Sequence, residues 1–271
     1  MKAILMILFL GATQISMGAF ERNSHGGRAI GMGGASIAIM DNPWAVFTNP
    51  GALGAQQPRT LSLFYSPQPF GLRELAHGSF SYVEPMPFGT LAFSGSRYGF
   101  ELYREVALTL SYGGRIADLL LYGISVNYLS LSIEKYGSAS TVGVDAGILV
   151  AVSDEVSWGF VATNLNAAAI GALKEKLPQV FSTGLSYKPI HEATIAADIV
   201  KDIRYEAELR LGVEYIVLDL ISLRSGTSSD PSAFNAGLGI RYSLLELDYA
   251  FSSHPELGMT HQASLSIRLG E

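Results

Sequence analysis

From about Pro58 onward, apolar and polar side chains alternate with a period of two, the spacing that sends successive residues to opposite faces of a sheet. Val106, Leu108, Leu110 and Tyr112 alternate with Ala107, Thr109, Ser111 and Gly113. The same holds for Phe234, Ala236, Leu238, Ile240 and Tyr242, for Leu245, Leu247, Tyr249 and Phe251, and for Leu265, Ile267 and Leu269. Turn residues cut the region into about fourteen segments of roughly ten residues, the length that crosses a bilayer at barrel tilt. The expected strands are 59–66, 77–84, 88–97, 102–113, 119–132, 140–152, 155–164, 179–188, 192–200, 204–216, 218–225, 233–242, 245–252 and 260–269.

The connections alternate in length as well. After odd-numbered strands come 67–76, 165–178, 226–232 and 253–259; after even-numbered ones come 85–87, 153–154, 189–191, 217 and 243–244. Outer-membrane barrels set long extracellular loops against short periplasmic turns, and this parity puts both mature chain ends in the periplasm. A soluble β-sandwich also alternates, but it turns polar residues outward and needs room inside for its large apolar ones. Here the polar face is rich in Gly, Ser, Ala and Thr, which suits a crowded or water-filled lumen.

Composition sharpens this reading. Charged residues are 15% of the 271 and the mean hydropathy is +0.27, apolar for a domain that meets water on all sides. Past the N-terminus no apolar run reaches the ~18 residues of a helical span, which leaves a closed barrel as the spanning solution. The absence of Cys excludes disulfides, thiolate metal sites and a lipid-modified cysteine. A net charge of −6 with no basic block argues against nucleic acid as a partner.

Residues 1–18 read as an export signal: Lys2, the apolar run 3–12, then small Ser16 and Gly18 before a cleavage expected ahead of Ala19. Residues 20–57 lack membrane-strand alternation. Gly31, Gly33 and Gly34 allow positive φ or close backbone approach, and Asn42-Pro43 and Asn49-Pro50 mark turns. The segment is expected to be compact but not part of the wall.

These residues resemble the PorV/PorQ-like group within the superfamily of FadL-type outer-membrane proteins, the long-chain fatty-acid transporters. Gly26, Arg28, Gly31, Met32, Gly33 and Gly34 fall in a Gly-x-Arg-Ala-x-Gly-Met-Gly-Gly-Ala motif; Asp41, Asn42 and Pro43 match an Asp-(Asn/Asp)-Pro turn. Asn49, Pro50 and Gly51 nearly match Asn-Pro-Ala-Gly-Leu, with Gly51-Ala52 inverting the usual order. Stretches 158–189 and 234–269 are similar to the group's later strands. The resemblance implies an all-β transmembrane antiparallel barrel of about fourteen strands over 58–271, with 19–57 as a hatch inside the lumen. Fourteen strands enclose a backbone diameter of roughly 28 Å, too wide for wall side chains alone to fill.

Catalytic constellations are hard to find, and the chain is expected not to be an enzyme. His25, His77, His191, His254 and His261 have no metal-ligand spacing, so neither metal nor cofactor is expected. Gly31-Met32-Gly33-Gly34 lacks the strand-then-helix context and the lysine of a phosphate loop. By phase, Glu206, Glu208, Arg210, Glu214, Arg241, Glu246, Asp248 and Arg268 point into the lumen. They either pair with one another and with Arg28 and Asp41, or select a substrate; pairing is favoured, since buried charges persist when paired. Tyr65, Tyr82, Tyr112, Tyr187 and Tyr242 fall near strand ends, as interface anchors do. The Ala167–Ala169, Ile170, Ala172 and Leu173 cluster reads as a short loop helix, or else a hydrophobic docking patch.

The resemblance implies a passive channel or carrier for small hydrophobic molecules, gated by the hatch, with outer-membrane lipid as surroundings. A PorV-like part in the type IX secretion system, with secretion proteins as partners, is the alternative; a purely structural barrel is a third. The C-terminal Arg268-Leu269-Gly270-Glu271 departs from the terminal aromatic common in such barrels.

Overall fold

The computed structural model describes residues 18–21, 24–55, 58–117 and 119–270; the expected signal therefore lies outside the described residues except for Gly18. The wall is built from β1 (Thr60–Ser66), β2 (His77–Met86), β3 (Gly89–Gly99), β4 (Tyr103–Ile116), β5 (Leu120–Ile133), β6 (Gly137–Ala151) and β7 (Val156–Thr163). After a two-stranded ribbon, β8 (Ala169–Ile170) with β9 (Glu175–Lys176), the wall continues through β10 (Val180–Ile190), β11 (Ala193–Asp202), β12 (Ala207–Val217) and β13 (Ile221–Ser229). Strands β14 (Ser232–Tyr242), β15 (Leu245–His254) and β16 (Gly258–Arg268) complete it. Each wall strand pairs antiparallel with the wall strands before and after it in the chain, β7 with β10 across the ribbon, and β16 pairs with β1, so the barrel closes.

Alternation decides which face is which. Leu247 is 51% exposed while its neighbour Asp248 is 2% exposed. The same split runs round the wall: Leu211, Leu223, Leu238 and Ile199 are outside, and Ser182, Ser222, Ser264 and Asp198 are buried inside. Large aliphatic side chains outside and small polar ones inside invert a soluble sheet, and a closed ladder satisfies its backbone without water. This is the surface a bilayer covers. Tyr65, Tyr187 and Tyr242 stand exposed near strand ends, as expected of interface anchors.

Ahead of β1, the segment 24–55 runs through the inside. It carries two short helices, α1 (Gly27–Gly31) and α2 (Ala45–Thr48), followed by a 3-10 turn at Pro50–Ala55. Its apolar residues form their own small cores: Trp44 and Ile30 against Phe64 and Ala250, and Leu53, Ala52 and Ala45 against Val83, Leu121 and Leu149.

Several expectations need correction. The alanine-rich stretch is not helical: Ala169 and Ile170 pair with Lys176 and Glu175 as a ribbon over the lumen. Ala168, Ile170 and Leu177 are buried against Ala19, and this packing outweighs the helix propensity of alanine. The connections expected at 226–232 and 253–259 shrink to tight turns, because β13 pairs with β14 out to Ser229↔Ser232 and β15 with β16 out to His254↔Gly258. Glu206 lies in the turn before β12 and is exposed, since Asp202 accepts hydrogen bonds from Arg204 and holds that turn. The two described chain ends also sit at opposite rims. Ala19 meets the 164–179 loop, whereas Leu269 N–H donates to Arg59 O at the far rim. Both ends therefore do not share one side of the barrel.

Candidate functional site

Glycine sets where the inner segment can touch the wall. Gly113, Gly123 and Gly147 are register partners across β4, β5 and β6, and Gly212 partners Gly226 across β12 and β13. At each, a side chain would strike the inner segment: at Gly123 the Pro50 backbone, at Gly226 the Met32 and Gly33 backbone, at Gly113 Leu53, at Gly147 Asn49 and Pro50. The inner segment answers with glycines of its own. Gly33, at φ +67°, lies backbone to backbone with Thr227 and Leu211, where a Cβ would come within 2.8 Å of Leu211 O. Gly26, at φ +84°, leaves room for the Trp44 indole, and Gly31 packs on Gly237.

Polar side chains then lock the segment. Asn49, fully buried, donates from Nδ2 to Ile37 O at 2.8 Å and to Ile148 O on the wall at 3.1 Å, and accepts from Gly51 N–H at 2.9 Å. Asn42 accepts from Trp44 N–H and donates to Thr48 Oγ1, closing the turn that contains Pro43. Asp198 of β11 accepts from Ser36 N–H at 2.7 Å and Ile37 N–H at 3.0 Å.

Arg28 joins this segment to the wall charges. Its guanidinium makes a two-pronged pair with Glu214, Nη2 to Oε1 at 2.6 Å and Nε to Oε2 at 3.0 Å, and also donates to the Asp41 carbonyl. Asp41 thus offers Arg28 its backbone carbonyl as acceptor, and its carboxylate adds attraction from nearby. Arg224 is the centre of the network: Nε reaches Glu214 Oε2 and Nη1 reaches Asp248 Oδ1, both at 2.6 Å. Glu246 continues it to Arg241 at 3.0 Å and Arg268 at 3.3 Å. Arg210 pairs separately with Glu208 at 2.6 Å, beside Gly34. Sequence reading brought together Glu214, Asp248, Glu246, Arg241 and Arg268 but missed Arg224, Asp198, Glu105 and Asp145. The phase of Ile221 and Leu223, which face outward, already pointed Arg224 inward.

On the other side of the lumen, between the inner segment and β2–β7, lies a cavity of about 170 Å³. Phe20, His25, Phe47, Tyr98, Leu129 and Val180 supply its aromatic and aliphatic surface. His25 stacks on Phe47 with ring centroids 3.9 Å apart, meets His77 edge-on and lies 3.1 Å from Ser79 Oγ through Nδ1. The carboxylates among its described lining residues are Glu21, Glu105 and Asp145. Glu105 accepts from Tyr103 O–H at 2.5 Å and Phe20 N–H at 3.0 Å; Asp145 accepts from Asn127 Nδ2 and Asn164 N–H, both at 2.8 Å. Among the described residues no cluster of His, Asp and Glu is arranged to hold a metal. His254 instead accepts from two turn amides, and His261 contacts Tyr249 O–H.

The backbone contact yields a first expected result. Gly226→Val should displace the inner segment, overpacking at a typical ~1–3 kcal/mol, and expose Arg28 to trypsin. Limited proteolysis in lipid checks it: faster cleavage after Arg28 than in the wild-type protein is expected, with the wall still resistant. Unchanged protection would mean that the segment is not seated on this belt.

No family model matches the chain, and no curated protein is similar to it. Solved structures are. The Ralstonia pickettii toluene transporter TbuX superposes with a TM-score of 0.71 at 14% identity, over 93% of this chain and 100% of its own. The P. putida toluene transporter TodX gives 0.70 at 14%, again over 93% and 100%. A Pseudomonas aeruginosa FadL homologue gives 0.68 at 12%, over 92% of this chain and 99% of its own. At such identities the likeness concerns architecture, and the chain therefore has the fold of a FadL-type barrel.

Proposed function

We propose that the chain is a passive outer-membrane channel for small hydrophobic molecules, with residues 19–57 as a plug that bars free passage of water and ions. The observation that carries this reading is the cavity beside the plug: its volume of about 170 Å³ is close to that of a cavity known to take up benzene. Its aromatic lining suits a flat apolar guest. The toluene-transporter neighbours support the same class of solute. The rim carrying loops 67–76 and 164–179 faces outward in this reading, and the C-terminal end of β16 faces the periplasm. The glycine-rich motif supports a place in the PorV/PorQ-like group; the tight turns at the loop rim offer little surface for docking secretion cargo. The work of the chain is conduction, not catalysis.

Lining chemistry narrows the solute further. A guest carrying a carboxylate would have to give up its hydration in a small cavity lined by Phe20, Phe47, Leu129 and Val180, which costs far more for a charge than for a neutral ring. Neutral aromatics should therefore pass and their carboxylate analogues should not. Uptake into proteoliposomes checks it: toluene accumulation above that of empty liposomes is expected at least about tenfold faster than benzoate, a difference of ~1.4 kcal/mol. Equal rates for toluene with and without protein would sink the channel reading.

A further inference from the structure

The outer face of β1–β4 carries a feature that conduction through the lumen does not use. A groove of about 610 Å³ lies there, bordered by Leu63, Tyr65, Phe80, Val106 and Leu108. Register explains it. Tyr65, Gly78, Arg97 and Val106 are successive partners in one row across the four strands, and Leu63, Phe80, Gly95 and Leu108 form the next row. Gly78 and Gly95 withhold side chains from the middle of both rows, and the wall is hollowed where they stand.

Arg97 lines this groove and is exposed. Arg104, opposite Gly99, is exposed on the same face and is a diagonal cross-strand neighbour of Arg97, a relation that sets Cα atoms about 7–8 Å apart. No hydrogen bond or ion pair joins either guanidinium to a carboxylate among the described residues, although Glu101 lies in the adjoining turn. A cation on the lipid face of a barrel is costly at mid-membrane and cheap near the interface. Arg97 lies two residues from the end of β3, roughly 7 Å below the rim, at the level of lipid headgroups. Two planar forks at that depth, above an apolar trough, are what an acylated phosphate requires: bidentate hydrogen bonds to phosphate oxygens and a bed for a chain.

We infer that the outer groove on β1–β4, capped by Arg97 and Arg104, binds a phosphorylated glycolipid of the lipid A type from the outer leaflet. The assignment of leaflet rests on the orientation proposed above, with the 164–179 loop outward. The groove takes an acyl chain along Leu63, Phe80 and Leu108, and the arginines take a headgroup phosphate. Charge complementarity selects this occupant over a zwitterionic lipid.

The test uses the full mature chain in nanodiscs of phosphatidylethanolamine alone or doped with lipid A or with phosphatidylglycerol, reading bound lipid by native mass spectrometry and the thermal unfolding midpoint. Retained lipid A and a raised midpoint with lipid A are expected. Both should be lost in the Arg97→Gln, Arg104→Gln variant and in Gly78→Leu, whose Cβ would stand in ordinary contact with Tyr65 at 3.5 Å and whose side chain would fill the groove. Lys201→Gln, an exposed cation elsewhere on the outer face, should keep them. Equal retention in the arginine variant, or an equal rise with phosphatidylglycerol, overturns the proposal. Orientation is read separately by labelling Leu173→Cys from outside intact cells, which the cysteine-free background allows, and conduction separately by toluene uptake.

Discussion

Deleting residues 20–55 is expected to convert a barrel closed to ions into an open pore, raising single-molecule conductance in planar bilayers by at least about tenfold. The wall should survive, because its ladders run unbroken from β1 round to β16 without help from the inner segment. What the deletion removes is the material between them. The inward faces of β4–β6, β12 and β13 carry Gly113, Gly123, Gly147, Gly212 and Gly226, so little remains there to fill the bore. Glu214 loses Arg28 but keeps Arg224. Conductance as low as that of the intact chain, from a barrel still folded by its resistance to protease, would show that residues 20–55 are not what closes the lumen.

Arg224→Ala should be the most damaging single substitution. Arg224 is 5% exposed and bridges Glu214 on β12 to Asp248 on β15, both nearly fully buried. Removing one member of a buried ionic group leaves charge without a partner, at a typical cost of about 3–5 kcal/mol. Equilibrium unfolding in urea with lipid vesicles measures it. Neutralising Asp248 as well, as in Arg224→Met with Asp248→Asn, should recover much of the loss, because Glu214 keeps its two-pronged pair with Arg28 and Asp248 is no longer a stranded carboxylate. A loss below about 1 kcal/mol, the range of an exposed pair, would remove Arg224 from the centre of the network.

The wall was legible in the sequence because the contrast between lipid and lumen writes itself into every second residue, as at Leu247 and Asp248. Strand ends were legible only where that contrast persists. The tips Gly226–Ser229 and Ser253–His254 are small and polar on both faces, so they read as loop although they pair to the last residue. The ribbon at Ala169–Ile170 was hidden for another reason: its conformation follows from burial against Leu177 and Ala19, not from local preference. In the charge network, phase supplied the lumen residues but not their partners. Nothing in local spacing joins Arg28 to Glu214, which is 186 positions away. The glycine belt was visible as composition alone, and its purpose appears once strand register sets Gly113, Gly123 and Gly147 side by side.

The seam between β1 and β16 has a bearing on how the molecule is assembled. Its partners run only from Thr60 to Tyr65, as few as in the β6–β7 ladder, and they join the two most distant parts of the wall, so this ladder carries the heaviest loop-closure entropy on few rungs. Residues 24–55 enter immediately ahead of β1 and contact strands on every side of the bore. A cylinder zipped shut first would leave them to be threaded through a finished opening; a sheet still gaping at that seam can curl around them instead. Insertion machinery that holds the first and last strands apart would then also set the time available for the interior to be packed.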